Sequence, residues 1–308
     1  MRKGLVIKST GSRYRVLDQD NQLVDCVIKG KFRVKGFRTT NPVAVGDTVF
    51  FDQDEDNTGV IREIGERTNY IIRKSSNLSK ESQIIAVNID QAILMVTLRE
   101  PSTPEEFIDR YLVAAEAFRI PVIILFNKVD IYNEDDLAKL HYLQEVYTRI
   151  GYRCMVISLS GGDQPGEIRE LVSGKKTLVS GNSGVGKSTL INYLVPGLNI
   201  KTAVISDYHK QGKHTTTFAE MHPIPGGGYI IDTPGIRGFG LTDFDRKEIY
   251  HFFPEIFRAA KKCRYYNCLH EDEPGCAVRE AVESGEIEWF RYRSYLNISG
   301  DQNSKYRL

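Results

Sequence analysis

The segment from Gly181 to Ser188 reads GNSGVGKS and fits the pattern G-x-x-x-x-G-K-[ST]. An apolar run at 177–180 precedes it, and a helical pattern at 188–194 follows. Glycines let backbone N–H groups approach phosphate oxygens, and a helix N-terminus favours negative charge. In this pattern the lysine neutralises the β and γ phosphates, and the serine hydroxyl reaches Mg²⁺. The segment therefore predicts a nucleotide phosphate site, with contacts from Gly181, Asn182, Ser183, Gly184, Val185, Gly186, Lys187, Ser188 and Thr189.

Two further polar segments follow at suitable distances. Asp232 ends the apolar run 229–231 and begins D-T-P-G, so its carboxylate is predicted to hold Mg²⁺ and the N–H of Gly235 to sense the γ phosphate. Between the two motifs lies the stretch GKHTTT at 212–217. A threonine run is often only turn or strand surface, but this position favours Thr215 or Thr216 as a Mg²⁺ ligand. Lys187 and Thr216 are also candidate catalytic residues.

A base-recognition motif precedes the phosphate loop. The apolar run 122–126 leads into Asn127-Lys128-Val129-Asp130, which fits N-K-x-D at the carboxyl end of a strand. One carboxylate can accept from both N1–H and the 2-amino group of guanine, so Asp130 is predicted to select guanine over adenine. Lys128 would cover the base plane, and Asn127 would tie this loop to the phosphate loop.

The order of these motifs is circularly permuted. GTPases usually place the phosphate loop first and N-K-x-D later, followed by a short S-A-K-type loop. Here N-K-x-D and a candidate last loop containing Ser158 and Leu159 both precede Gly181. The chain therefore leaves the GTPase domain directly behind D-x-x-G, and whatever follows residue 241 is predicted to be coupled to the state of the nucleotide.

A cysteine- and histidine-rich cluster lies near the carboxyl terminus. The spacing is C-x₄-C-x-H-x₅-C, and the four side chains satisfy tetrahedral Zn²⁺ with no open position. The cluster therefore predicts one structural zinc ion, and the small domain around it would depend on the metal for folding. The predicted ligands are Cys263, Cys268, His270 and Cys276.

The first 68 residues must form a domain of a different kind. Short β-type runs at 4–8, 13–17, 24–28, 47–51 and 59–64 are separated by turn residues, which predicts a small OB-type barrel. Residues 1–50 contain ten basic and four acidic side chains. With Tyr14, Phe32 and Phe37 among them, this surface suits RNA; a solvated strand surface over core aromatic rings is an equally acceptable interpretation.

The remaining pattern divides the chain into further parts. Residues 69–82, rich in Arg, Lys, Ser and Asn, are predicted to be a linker. From 83 to 240, continuous apolar runs alternate with amphipathic stretches at 104–119 and 134–150, which predicts a mostly parallel α/β GTPase domain. Residues 241–308 are predicted to form a mainly helical zinc-binding domain, with a second basic patch formed by Arg258, Lys261, Lys262 and Arg264.

The overall composition excludes several classes of protein. The 41 Lys and Arg residues nearly balance the 40 Asp and Glu residues, which disfavours a protein that simply coats nucleic acid. No apolar run is long enough to cross a membrane, so a cytoplasmic monomer without a membrane partner is expected. Cys26 and Cys154 lie in apolar surroundings and are predicted to be inert.

Together these motifs resemble the RsgA family, the ribosome small-subunit-dependent GTPases, over essentially the whole chain. The resemblance implies binding to the small (30S) subunit and its rRNA in late assembly, with GTP hydrolysis to GDP and phosphate stimulated by the subunit. Leu159 replaces the small residue common in the base-binding loop, whose contact with the base is normally made by a backbone N–H. Ile236 stands where many GTPases carry a catalytic glutamine, so we expect slow intrinsic hydrolysis. We hypothesise that His214 positions the attacking water.

Two other functions remain open on the residues alone. The chain could be a P-loop ATPase or small-molecule kinase in which N-K-x-D is accidental, and binding of GDP against ADP separates that case. It could also be a nucleic-acid-binding module with a degenerate nucleotide site, although intact Lys187, Ser188 and Asp232 argue against this.

Overall fold

The computed structural model describes residues 1–28, 42–54, 56–74, 82–159, 166–200, 219–232 and 245–301. Within them, an N-terminal barrel leads into an α/β domain and then into a helical domain. The predicted three-part fold is confirmed.

The barrel is built from five short strands and closes on itself. In space the strands follow the order β1-β2-β3-β5-β4, and β4 pairs back onto β1. All neighbours are antiparallel except β3 and β5. The apolar side of each strand faces inward, which fills the interior with a core around Val16, Val49, Phe51 and Ile61. The strands are β1 (Arg2–Ser9), β2 (Arg13–Asp18), β3 (Leu23–Ile28), β4 (Thr48–Gln53) and β5 (Gly59–Ile64).

Tyr14 belongs to that core. Its side chain is 2% exposed, and its hydroxyl donates to the carbonyl of Gly11 at 3.1 Å. The suggestion that Tyr14 offers a stacking face to RNA is therefore wrong, because strand alternation turns it inward while Arg13 and Arg15 face solvent. Phe32 and Phe37 lie outside the described residues.

A two-stranded antiparallel sheet follows, formed by β6 (Tyr70–Lys74) and β7 (Ser82–Val87). Strand β6 lies inside the range predicted as a linker, so that part of the prediction is wrong. Ile71 of β6 is fully buried in the core of the α/β domain. The backbone of β6 pairs with β7, and the short sequence of β6 did not predict this pairing. The N–H of Val87 donates to Val45, which fastens the barrel to this sheet.

The α/β domain has a parallel sheet with one antiparallel strand, β12, in the order β10-β9-β8-β11-β13-β12. Alternate side chains of β8 and β9 pack against α1 and α2 on one face and against α3 and α4 on the other. Strand β12 also pairs with β1, with Glu220 opposite Lys8. The elements are β8 (Gln91–Val96), α1 (Glu105–Ala117), β9 (Val122–Phe126), α2 (Glu134–Ile150), β10 (Arg153–Val156), α3 (Gly166–Val172), β11 (Lys176–Gly181), α4 (Lys187–Leu194), β12 (Glu220–Pro223) and β13 (Tyr229–Asp232).

The helical domain begins with a 3-10 helix, Arg246–Phe252, followed by α5 (Pro254–Ala260), α6 (Ala277–Glu283) and α7 (Trp289–Asp301). Its core includes Ile249, Phe253, Ile256 and two of the cysteines, together with Val113 from α1. The helical domain is therefore packed directly on the α/β domain. None of the helices in the described ranges is long and apolar enough to span a membrane.

Candidate nucleotide site and metal centre

The loop between β11 and α4 has the backbone that its glycines predict. Gly181 has φ +142°, and a Cβ there would lie 2.5 Å from the carbonyl of Met95. Gly186 has φ +104°, and a Cβ there would lie 2.4 Å from Nδ2 of Asn127. Larger residues at either position would be strained and would collide with a neighbour. The loop thus stays close to the neighbouring strand and the base-recognition loop, and α4 begins directly after it.

Lys187 lies at the start of α4 and turns back over this loop. Its Nζ donates to the carbonyls of Gly181 at 2.8 Å and Asn182 at 2.6 Å. Burial lowers the pKa of the ammonium, and the nearby Asp232 carboxylate raises it in part. A partly desolvated cation inside a glycine-rich loop attracts phosphate oxygens strongly.

Asn127 connects three loops at the carboxyl edge of the sheet. Its side chain is buried, and Nδ2 donates to the carbonyl of Val185 in the phosphate loop at 2.8 Å. Its Oδ1 accepts from the N–H of Leu159 at 3.3 Å. The phosphate loop, the base-recognition loop and the loop after β10 are therefore held together by one amide.

Asp130 and Ser158 form the part of the site that would meet the base. The hydroxyl of Ser158 donates to Oδ1 of Asp130 at 2.5 Å, and Asp130 is exposed to solvent. This bond orients the carboxylate at the exposed end of the loop. The side chain of Leu159 is partly buried against the core beneath the loop.

Lys128 has a left-handed backbone with φ +65°, and its ammonium donates to the carbonyl of Glu100. Glu100 belongs to the loop that follows β8, and Pro101 of the same loop lies 3.3 Å from where a Cβ of Gly184 would be. The loop after β8 thus contacts both the base-recognition and the phosphate loop, a role that its sequence did not reveal.

Asp232 is the last residue of β13 and pairs with Val179 of β11. The carboxylate therefore stands at the same edge of the sheet as the phosphate loop, half-buried and close enough to influence the pKa of Lys187. An oxygen donor beside a phosphate site suits Mg²⁺. His214, Thr215, Thr216 and Gly235 lie outside the described residues.

The four predicted zinc ligands converge in the helical domain. The sulfur atoms and a ring nitrogen of Cys263, Cys268, His270 and Cys276 all lie within 4.8 Å of one another. Nδ1 of His270 is 3.6 Å from the sulfur of Cys263 and 3.6 Å from that of Cys276. Three thiols and one imidazole at these distances fit a tetrahedral Zn²⁺ ion, with Nδ1 as the histidine donor.

The chemistry of these thiols also fits a metal. Burial and the neighbouring cysteines raise the pKa of Cys268 to about 12, and burial raises that of Cys276. Thiolates packed this closely repel one another, so a divalent cation is needed to hold them deprotonated. Burial likewise raises the pKa of Cys26 to about 12 and that of Cys154 to about 11, which leaves both of these thiols unreactive at neutral pH.

Side chains outside the ligand set hold the zinc loop in shape. Glu273 accepts from the N–H groups of Leu269 at 2.6 Å and Glu271 at 2.9 Å. Tyr292 and Tyr295 on α7 donate to the carbonyls of His270 and Leu269, each at 2.6 Å. The loop is thus tied to α7, which supports the ligand geometry.

A buried ion-pair cluster joins the helical domain to α1. Arg291 is fully buried, and its guanidinium donates to Asp109 at 2.6 Å and to Glu255 at 2.6 and 3.2 Å. The hydroxyl of Tyr147 donates to the same Asp109 oxygen at 2.8 Å. Sequence reasoning missed this cluster; a lone charge on the apolar face of each helix is the only signal that could have indicated it.

Comparison with known proteins agrees with this architecture. The sequence profile described as RsgA GTPase matches residues 64–242, and the RsgA N-terminal domain matches 3–61. A protein named small ribosomal subunit biogenesis GTPase RsgA from Bacteroides fragilis is 59% identical, with 99% of each chain covered. A protein of the same name from Christiangramia forsetii is 52% identical, over 99% of this chain and 98% of the relative.

Two solved structures are similar over the whole length. YjeQ from Thermotoga maritima has a TM-score of 0.80 at 33% identity, with 99% of each chain covered. YloQ, described as a circularly permuted GTPase, has a TM-score of 0.75 at 31% identity, over 99% of this chain and 96% of the other. With the RsgA GTPase profile matching more than half of the chain and relatives of 59% and 52% identity covering its whole length, the chain belongs to the RsgA GTPase family.

Proposed function

We propose that this protein hydrolyses GTP to GDP and phosphate and acts in maturation of the small (30S) ribosomal subunit, which stimulates the reaction. The observation that carries the proposal is the joining of Asp130, Ser158 and the phosphate loop through Asn127 at one edge of the sheet. The names of its relatives supply the ribosomal part of the proposal.

Guanine selection rests on Asp130. A carboxylate with one oxygen held by Ser158 presents a fixed acceptor edge to N1–H and the 2-amino group of guanine. Adenine lacks that pair of donors and would leave the carboxylate poorly matched. Lys128 would lie over the base plane, and Asn127 would hold the base-recognition loop in a fixed position against the phosphate loop.

Phosphate binding rests on the glycine-rich loop and Lys187, whose ammonium lies within this loop. Ser188, Asp232 and either Thr215 or Thr216 would hold Mg²⁺, which neutralises charge on the β and γ phosphates. The N–H of Gly235 would report the presence of the γ phosphate. Thr216 is proposed to act with Lys187 in the hydrolytic step.

The attacking water needs a group other than Ile236 to orient it, because an isoleucine side chain makes no hydrogen bond. We assign this role to His214, ordered by the bound subunit. Small subunits should then stimulate GTP turnover by the His214→Ala variant much less than that by the unmodified chain. The affinity of the variant for GDP should be unchanged. Full stimulated turnover in that variant would exclude His214 from the role.

RNA contact is proposed on two exposed basic surfaces. The barrel presents Lys3, Arg13 and Arg15. The zinc domain presents Arg258, Lys261, Lys262 and Arg264 beside Tyr266, which is 99% exposed. Basic side chains with an accessible ring suit rRNA, where cations contact phosphates and the ring stacks on a base. The protein is proposed to act as a monomer in the cytoplasm.

Turnover of GTP and ATP, each with and without purified small subunits, tests the proposal. We expect slow GTP hydrolysis alone, faster hydrolysis with subunits, and little turnover of ATP. A GTP rate that small subunits leave unchanged would remove the ribosomal part while keeping the GTPase assignment. Comparable ATP turnover would instead contradict the role of Asp130.

A further inference from the structure

We propose that Tyr132 is a positioning residue for guanine recognition, whose hydroxyl holds the base-recognition loop against the loop that follows β8. Tyr132 lies just beyond the 3-10 turn Val129–Ile131 that carries Asp130. It is not part of the N-K-x-D pattern. The inference rests on the proposed GTPase function and adds a residue to its specificity.

The hydroxyl of Tyr132 makes two hydrogen bonds at once. It accepts from the N–H of Leu98 at 2.7 Å and donates to the carbonyl of Asn127 at 2.8 Å. Burial raises the pKa of this phenol, the N–H of Leu98 lowers it, and the charges of Asp136 and Asp130 raise it further. The hydroxyl therefore keeps its proton at neutral pH and can act as donor to Asn127.

Asn127 uses its other polar groups elsewhere. Its N–H donates to Val96 at 2.8 Å, and its side chain contacts the phosphate loop and Leu159. The carbonyl of this buried residue would lose its partner without Tyr132. The next residue, Lys128, has a left-handed backbone that an L-amino acid adopts at a cost in free energy. The hydrogen bond from Tyr132 to Asn127 therefore holds the backbone directly before this left-handed residue.

The loop after β8, residues 97–103, is closed by hydrogen bonds within itself. The N–H of Thr103 donates to the carbonyl of Thr97 at 2.8 Å, and the hydroxyl of Thr97 donates to the carbonyl of Pro101 at 2.5 Å. In this loop, the carbonyl of Glu100 accepts from the ammonium of Lys128, and Pro101 lies close to Gly184 of the phosphate loop. Tyr132 therefore ties the base-recognition loop to the loop that touches both halves of the nucleotide site.

Tyr132→Phe keeps the ring and removes both hydrogen bonds. Two backbone groups then lose a partner, so the loop should relax and misplace Asp130. Because Asp130 contacts the base in ground state and transition state alike, KM for GTP should rise roughly tenfold with kcat nearly unchanged. Affinity for GDP should fall by the same factor.

Comparison with inosine diphosphate separates positioning from a merely structural role. Inosine lacks the 2-amino group, so the ratio of GDP to inosine diphosphate affinity measures the paired contact of Asp130 with guanine. If Tyr132 positions Asp130, the variant should lose much of this ratio. Equal weakening of both nucleotides, or a lowered melting temperature alone, would overturn the inference.

Tyr14→Phe is the matched control. It also removes one hydroxyl bond to a backbone carbonyl, but in the barrel. Its KM and its nucleotide ratio should equal those of the unmodified chain. If the unmodified chain itself failed to prefer guanine nucleotides, the proposed function would fail first, which distinguishes the two outcomes.

Amide hydrogen exchange gives a second measurement that needs no variant. The N–H of Leu98 should be protected in the unmodified full chain before any nucleotide is added, because Tyr132 already accepts its hydrogen bond. Exchange of this amide at the rate of an exposed loop would contradict the inference even if Tyr132→Phe did not fold.

Discussion

The nucleotide site and the cluster of Cys263, Cys268, His270 and Cys276 both bring several side chains together, but by different means. The nucleotide site lies at the carboxyl edge of a parallel sheet, where Asn127, the phosphate loop and Asp232 lie at the ends of β9, β11 and β13. The zinc ligands lie in a stretch between α5 and α6 with little regular structure. The first site is shaped by backbone pairing before a ligand arrives, whereas we expect the second to depend on a bound metal for much of its stability.

Removal of zinc should have the largest effect and tests this contrast most directly. In Cys276→Ser, or after chelation, the metal's contribution of the order of 10 kcal/mol to folding of the helical domain is lost. Amides of α5 to α7 should lose protection from hydrogen exchange, while affinity for GDP changes little. Cys154→Ser is the control and should retain one zinc ion per chain. A metal-free chain with a protected α7 would show that the two sites do not differ in this way.

Breaking the link between the two regions should have the next largest effect. Arg291→Met leaves Asp109 and Glu255 buried without their cation, which should cost about 3–5 kcal/mol in the free energy of unfolding. Denaturant unfolding measures this loss. The control is Arg149→Ala, which breaks a half-exposed pair with Glu288 and should cost less than about 1 kcal/mol. Similar losses in both variants would mean that the buried cluster does not join the domains.

Lys187→Ala should alter chemistry while leaving both folds intact. Loss of the cation in the phosphate loop should lower GTP turnover by roughly 100-fold or more, since electrostatic contacts to developing charge contribute about this much. Zinc content and melting temperature should stay the same. Lys139→Ala removes an exposed cation paired with Glu105 and should leave turnover unchanged. If Lys187→Ala instead unfolded the α/β domain, the site would not be shaped by the sheet alone.

Glu273→Gln should have the smallest effect, and pH reveals it. Although burial raises the pKa of this carboxyl, the N–H groups of Leu269 and Glu271 lower it below its usual 4.5. A carboxyl with a lowered folded pKa stabilises the fold above pH 4.5, and this stabilisation is lost as pH falls through the folded value. At pH 7 the variant should lose about 1.5 kcal/mol of stability in the zinc-loaded chain. Its melting temperature should depend less on acid than that of the unmodified chain; equal acid dependence would contradict the role of Glu273.

The sequence by itself determined the elements whose signals are local. Continuous apolar runs predicted β8, β9, β11 and β13 because strands covered on both faces need apolar side chains throughout. Helix α2 begins and ends where its residues predict, with a capping box at Asn133 and a glycine at 151. The phosphate loop, N-K-x-D and the zinc ligands were also readable, since each is a short pattern whose chemistry depends on residue type and spacing.

The tertiary structure alone decided what depends on distant partners. Strand β6 exists because β7 pairs with it, and Tyr14 faces inward because the barrel closes behind it. The loop containing Ser158 and Leu159 could be predicted, but the hydrogen bond from the Leu159 N–H to Asn127 depends on the folded sheet. Tyr132 and Arg291 gain their roles from groups 34 and 182 residues away. A hydrogen bond or ion pair across such distances leaves no local pattern, because only the folded chain brings its two partners together.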